Sequence, residues 1–260
     1  MRDIQSEIQD NLNAIEKEQN VTVLLAVESG SRAWGFASPD SDYDVRFIYL
    51  RTAEDYLRLD PPKDTISRQP DEVLDISGWD LKKALPAFGK GNASVMEWCG
   101  SPIVYRQAPE WESVKTAVLK FFSEKAALYH YANTTFNTYR EHLRGETVSY
   151  KKYFYALRPL LCCRWIERFH QPPPVEFSRL LQLFDGPDGD LSPELLAAVR
   201  DLWQRKAVTC EKDLRPQLPQ ISAFIKAECL RLRQSAAAAP KNSPIDYGAL
   251  NAVFRQTLHI

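Results

Sequence analysis

Apolar residues recur at Ile4, Ile8, Leu12 and Ile15, a spacing that predicts an amphipathic helix over residues 3–17. The pattern then changes. Val21–Glu28 is nearly all apolar and reads as a strand central in its sheet. Ser31–Gly35 has the length of a short helix starting at a Gly-Ser turn, and Ala37–Ser41 is turn-rich. A second strand is predicted over Asp44–Leu50. Thr52–Leu59 is helix-like and is stopped by Pro61-Pro62. Thr65–Gln69 and Glu72–Ile76 read as two short strands joined by Gln69-Pro70-Asp71, and Ser77 is placed to cap a helix over Asp80–Phe88. Gly89–Asn92 breaks that helix, Ser94–Gly100 makes another helical turn, and Ser101–Tyr105 is extended.

From Trp111 onward the rhythm is helical. Segments 111–144 (broken once), 150–169, 176–184, 192–213 and 219–233 are candidate helices. Pro172–Pro174 and Gly186–Asp190 punctuate them, and Gln234–Pro244 reads as a linker or a frayed helix end before a last helix over Asp246–Leu258. There is no internal repeat. The order therefore predicts an α/β (α+β) core, a small mixed sheet with flanking helices over residues 1–108. An all-α C-terminal domain over 109–260 is expected to cover a cleft at the rim of that sheet.

Composition narrows the class without choosing a partner. The 260 residues are 44% apolar and 26% charged, as expected of a globular protein, and the net charge of −1 exerts no global pull on nucleic acid or membrane. The charge is unevenly spread. Lys115–His170 holds ten Lys/Arg against four Asp/Glu, whereas the remainder holds 23 against 30. An acidic metal-binding part and a basic part that meets phosphate fit this division, as does an ordinary solvated helical surface. The five cysteines, Cys99, Cys162, Cys163, Cys210 and Cys229, form neither a C-x-x-C pair nor a zinc-spaced cluster. Their odd count predicts reduced thiols in a cytoplasmic protein. Residues 1–20 do not resemble a signal peptide, and no apolar run approaches the ~20 residues that cross a bilayer.

The chemistry concentrates in Val21–Leu50. The first strand ends in Glu28-Ser29-Gly30-Ser31, and eleven residues after Ser31 come Asp42-Tyr43-Asp44, at the start of the second strand. Carboxylates two positions apart on a strand share a face and are placed to bind Mg²⁺. Gly30 suits a positive φ or the close approach of a phosphate, and Ser31 offers a hydroxyl and an N–H. Arg32 is either a phosphate contact or a surface cation, and Trp34 reads as packing. A third carboxylate should come from a neighbouring strand. Asp75, between Leu74 and Ile76, fits, because an acid in an apolar strand needs a partner or a cation; a helix cap is the competing reading.

The segment GSRAWGFASPDSDYD, Gly30–Asp44, resembles the signature of the DNA polymerase β-like nucleotidyltransferase superfamily: Gly-Ser, a Gly shortly after, then Ser-Asp-x-Asp. Four further segments resemble the YcgL-type, RNA-ligase-associated group proposed to act in RNA repair. They are Leu74–Lys83 (LDISGWDLKK), Glu97-Trp98, Ser101–Tyr105 and Lys152–Pro159 (KYFYALRP), so the similarity spans nearly the whole chain. The resemblance implies that Asp42, Asp44 and Asp75 hold two Mg²⁺ (or Mn²⁺) ions and that Gly30 and Ser31 hold the β/γ-phosphates; Arg32 and Ser41 are further nucleotide-binding candidates. It implies in-line attack by a hydroxyl on the α-phosphorus of a nucleoside triphosphate, with pyrophosphate leaving and no covalent enzyme intermediate.

Lys151, Tyr155 and Arg158 share one helix face, with Lys152 one position around. Lys152, Tyr155 and Arg158 are therefore candidates for phosphate and base contacts, or else a surface cation stripe over packed tyrosines. His130 and His142 could line the cleft or be structural. The expected acceptor is an RNA end. Nucleotide transfer to a protein hydroxyl, or a non-catalytic nucleotide-binding module, is the alternative. No G-x-G-x-x-G follows a strand, which disfavours a Rossmann dehydrogenase, and no lyase or hairpin-type region suggests a DNA repair polymerase.

Overall fold

A computed structural model describes residues 3–184, 189, 191–206, 214–242 and 244–260. The chain forms two compact units. The first comprises Met1–Ala33, Asp42–Phe122 and Pro244–Ile260, and the second Trp34–Ser41 and Ser123–Ser243. In chain order the first contains α1 (Ile4–Gln19), β1 (Val21–Ser29), α2 (Gly30–Ala33), β2 (Tyr43–Arg51), α3 (Ala53–Tyr56), β3 (Thr65–Arg68), β4 (Leu74–Asp80), α4 (Leu81–Gly89), α5 (Ala93–Cys99), β5 (Val104–Gln107) and α6 (Glu110–Val118). The second contains α7 (Glu124–His142), β6 (Thr147–Ser149), α8 (Tyr150–Phe169), α9 (Phe177–Gln182), α10 (Pro193–Lys206), β7 (Leu214–Pro216) and α11 (Pro219–Ala238). The chain then returns to the first unit as α12 (Tyr247–Thr257).

The first unit is a five-stranded mixed sheet in the order β3-β4-β2-β1-β5. β1 pairs antiparallel with β2 and β5, β2 runs parallel to β4, and β3 is antiparallel to β4. α1 begins where the Asp3 carboxylate accepts the Ser6 N–H and ends at Asn20, whose φ of 50° closes the last turn. Its Ile8, Leu12 and Ile15 pack on Val21, Val23, Ala26, Val45, Phe47, Tyr49, Leu74 and Ile76. On the opposite face Leu24, Leu25, Val27 and Ile48 meet α4, α5, α6 and Leu250 of α12. Both sheet faces are therefore covered, which explains why β1 shows an unbroken apolar run instead of alternation.

Two local expectations change. β4 continues to Asp80 and does not stop at Ile76, with its residues alternating between buried and half-buried throughout. The ring of Phe47 lies over its register partner Gly78, where a Cβ would sit 2.3 Å from ring carbon Cε2. Ser77 is therefore a strand residue facing Ser67, and Asp80 is the residue that caps α4, accepting the Lys82 N–H at 2.8 Å. Of the helix expected over Thr52–Leu59 only α3 forms, because Leu57 and Leu59 are exposed and have no apolar face to join.

In the second unit α7, α8 and α11 pack on one another, and Tyr153, Phe154, Leu157, Leu160 and Leu161 of α8 are buried. Two short segments missed in the sequence, β6 and β7, pair antiparallel into a ribbon. α11 extends through Gln234–Ala238, so this part of the segment expected as a linker or a frayed helix end is helical. The end of the helix expected over 192–213, most of the Gly186–Asp190 break and Cys210 lie outside the described residues. Cys99, Cys162, Cys163 and Cys229 are buried, and burial pushes the Cys99 thiol up to about 12. Among the described residues no helix is long and apolar enough to cross a membrane.

Candidate active site

The sheet register brings two of the three expected acids together. Asp44 of β2 and Asp75 of β4 are facing partners on adjacent parallel strands, and Ser29 at the end of β1 faces Asp44 from the other side. Gly30 follows at once with φ 66°, and a Cβ built on it would lie 2.4 Å from Oδ2 of Asp44. Gly30, Asp44 and Asp75 thus meet at one end of three neighbouring strands.

A residue that sequence reasoning passed over sits between the two acids. Arg46, two positions along β2 from Asp44, donates from Nη2 to Oδ1 of Asp44 at 3.0 Å and to Oδ2 of Asp75 at 2.7 Å. Its Nη1 donates to the carbonyls of Val45 at 3.0 Å and Asp75 at 3.3 Å. The only signal in the sequence was a polar residue on the same strand face as Asp44.

Glu28 was also missed. It is 1% exposed; one carboxylate oxygen accepts the Asp44 N–H at 2.8 Å and the other accepts the Tyr105 hydroxyl. Burial raises its pKa above the ordinary carboxylate value, and Asp44 contributes a smaller push in the same direction. The Tyr105 hydroxyl is driven upward by burial and then by its bond to Glu28.

The other candidates are distributed as follows. Asp42 is exposed just before β2, and its carbonyl accepts the Arg32 Nε–H at 3.0 Å. The Arg32 guanidinium lies 3.6 Å from the centroid of the Tyr43 ring. Ser31 is buried in α2. Ser41 belongs to the second unit, where its hydroxyl accepts the Ser38 N–H at 3.0 Å in a tight turn. Also in that unit, Lys151 and Lys152 lie 5.5 and 5.6 Å from the Tyr155 ring centroid. Arg158 is buried, donates from Nε to the Val175 carbonyl at 3.0 Å and covers the Trp34 ring. Trp34 packs edge-on against Tyr155. His130 and His142 are exposed on α7.

Among the described residues no group of three His, Cys, Asp or Glu side chains is arranged to hold a metal ion. The fit for a cation is instead a pairwise one. The oxygens of Asp44 and Asp75 converge on a single positively charged nitrogen, so the two carboxylates can share one cation.

Comparison with known proteins assigns the chain. The model of the RNA repair pathway DNA polymerase beta family matches residues 4–256. The chain belongs to this family. A Bacillus subtilis (strain 168) relative, "Uncharacterized protein YcgL", is 41% identical over 228 residues, covering 87% of this chain and 86% of the relative. The crystal structure of a nucleotidyltransferase-like protein from Exiguobacterium sibiricum 255-15 aligns with 96% of this chain and 78% of its own, at 12% identity and a TM-score of 0.30. Gly30 and Asp44, the two ends of the segment that resembles the polymerase β signature, are in close approach here.

Proposed function

We propose that the protein is a divalent-metal-dependent nucleotidyltransferase. It transfers a nucleoside monophosphate from a nucleoside triphosphate to a hydroxyl at an RNA end. The observation that carries this reading is the facing pair Asp44 and Asp75 beside Gly30. Family membership and the basic excess of Lys115–His170 support RNA as the acceptor.

Asp44 and Asp75 would hold Mg²⁺ or Mn²⁺, with Asp42, just before β2, as the third carboxylate for a second ion. Bound there, a divalent metal would supply charge neutralisation at the phosphates and would lower the pKa of the acceptor hydroxyl. Gly30, Ser31 and Arg32 would receive the triphosphate. Glu28 fixes the backbone N–H of Asp44 and so the direction of its carboxylate. The acceptor hydroxyl gives up its proton to solvent as its oxygen forms a bond to the α-phosphorus, the α–β phosphoanhydride bond breaks, and pyrophosphate leaves with the electron pair.

Incubation with Mg²⁺, each labelled nucleoside triphosphate, and either RNA or total protein tests this. Label is expected in RNA and lost in Asp44→Asn. Label confined to protein would replace the acceptor, and label transfer that survives Asp44→Asn would remove the site assignment.

A further inference from the structure

Two carboxylates at facing positions on adjacent strands repel, and each strand pair loses stability unless a cation intervenes. In this protein the chain supplies that cation itself. Arg46 is tethered at one end of its guanidinium by two carbonyls, those of Val45 and Asp75, and presents the other end to both carboxylates. The arrangement is directional. Nη1 is fixed to the backbone, while Nη2 alone bridges Asp44 and Asp75, so a small rotation about the anchored nitrogen uncovers both acids.

We propose that Arg46 is a built-in competitor for the divalent cation, a positioning residue that keeps Asp44 and Asp75 paired and offsets one of their two charges until metal displaces Nη2. This rests on the reading of Asp44 and Asp75 as metal ligands and adds a regulatory element to it. Both sources of positive charge need the same oxygens, because Nη2 lies 3.0 and 2.7 Å from them, within the space a bound ion requires. A guanidinium left in contact with a metal ligand also repels the ion. Arg46 therefore lowers affinity for free metal in two ways, by occupying the oxygens and by its charge. A triphosphate arriving with the ion brings negative charge that offsets this repulsion. Metal loading is thereby tied to nucleotide loading.

The test is a Mn²⁺ titration of the full chain followed by electron paramagnetic resonance, without nucleotide, on wild type, Arg46→Gln and Arg46→Lys, each also carrying Asp44→Asn as a control. Removing a unit charge this close is expected to tighten the Mn²⁺ Kd at the Asp44 site by about tenfold or more in Arg46→Gln. Arg46→Lys keeps the charge but cannot hold two carbonyls and two carboxylates at once, so it should tighten the Kd by a smaller factor. If Arg46→Gln fails to fold, Arg46→Lys decides alone. An unchanged or weaker Kd, with binding still abolished by Asp44→Asn, overturns the competitor role and leaves the metal site standing. Absence of Asp44-dependent Mn²⁺ binding in every variant overturns both.

Discussion

Gly30 and Asp44 are in contact as backbone against carboxylate: the position a Cβ would take on Gly30 is 2.4 Å from Oδ2 of Asp44. Gly30 also has φ 66°, a conformation that costs an L-residue about 1–2 kcal/mol. The glycine of the Gly-Ser pair is thus required twice over, once by its own backbone and once by the acid beside it.

Gly30→Ala is expected to lose about 1–3 kcal/mol of stability and, beyond that, to push the Asp44 carboxylate off Arg46 and away from the proposed metal site. Gly35→Ala provides the control, since Gly35 has φ 80° but nothing within 4 Å of a built Cβ. It should show a backbone cost with no matching loss of nucleotidyl transfer. Thermal melts and label transfer on both variants check this; equal activity losses in the two would remove the steric argument.

Glu28 carries a pH dependence whose sign follows from its environment. Its folded pKa lies above the ordinary value of 4.5, chiefly because burial disfavours the charge. A raised carboxylate contributes stability that is fully present below the unfolded pKa and is lost as pH rises through the folded one. Glu28→Gln removes that titration and keeps an oxygen for the Asp44 N–H. The variant should therefore gain stability relative to wild type as pH rises from about 4.5 toward neutrality, with a slope of at most about 1.4 kcal/mol per pH unit for this single proton. Denaturant unfolding of both proteins across pH 4–8 measures the gap, and a gap that narrows with rising pH contradicts the argument.

Local periodicity carried much of the fold. α1, β1, β2 and α8 follow from the spacing of their apolar residues, and Asp44, Asp75 and Gly30 were legible because each departs from the apolar strand or turn around it. What was hidden is relational. Arg46 reads as one polar residue in a strand until the parallel register of β2 and β4 puts Asp75, 29 positions away, beside it. Glu28 reads as the polar end of a strand until Tyr105, 77 positions away, closes over it. β6 and β7 are three residues each and depend on one another for every ladder hydrogen bond, so neither has a local signature. Likewise α12 has an ordinary amphipathic pattern, and nothing in its order along the chain says that it packs on α4 and α6. Asp80 was misread because a strand that ends directly in a helix cap places strand and capping signals on the same residues.

That residue also anchors the far side of the sheet. Asp80 is 4% exposed and accepts the Tyr56 hydroxyl at 2.7 Å and the Lys82 N–H at 2.8 Å, with Nε of the buried Arg51 at 3.5 Å. The other two guanidinium nitrogens of Arg51 donate to the Gln19 and Lys63 carbonyls, and its own N–H donates to the Tyr56 oxygen. Asp80→Ala would leave the Arg51 charge buried without a counter-charge, strand the Tyr56 hydroxyl and uncap α4, an expected loss of about 3–5 kcal/mol. Replacing both partners, Asp80→Leu with Arg51→Met, removes the unpaired charge and should recover a large part of the deficit, because a buried ion pair gains little over well-packed apolar groups. Chemical denaturation of the two variants decides it. A single mutant within about 1 kcal/mol of wild type would mean that Arg51 is adequately held by its carbonyl acceptors alone, and that the carboxylate of Asp80 serves only to start α4.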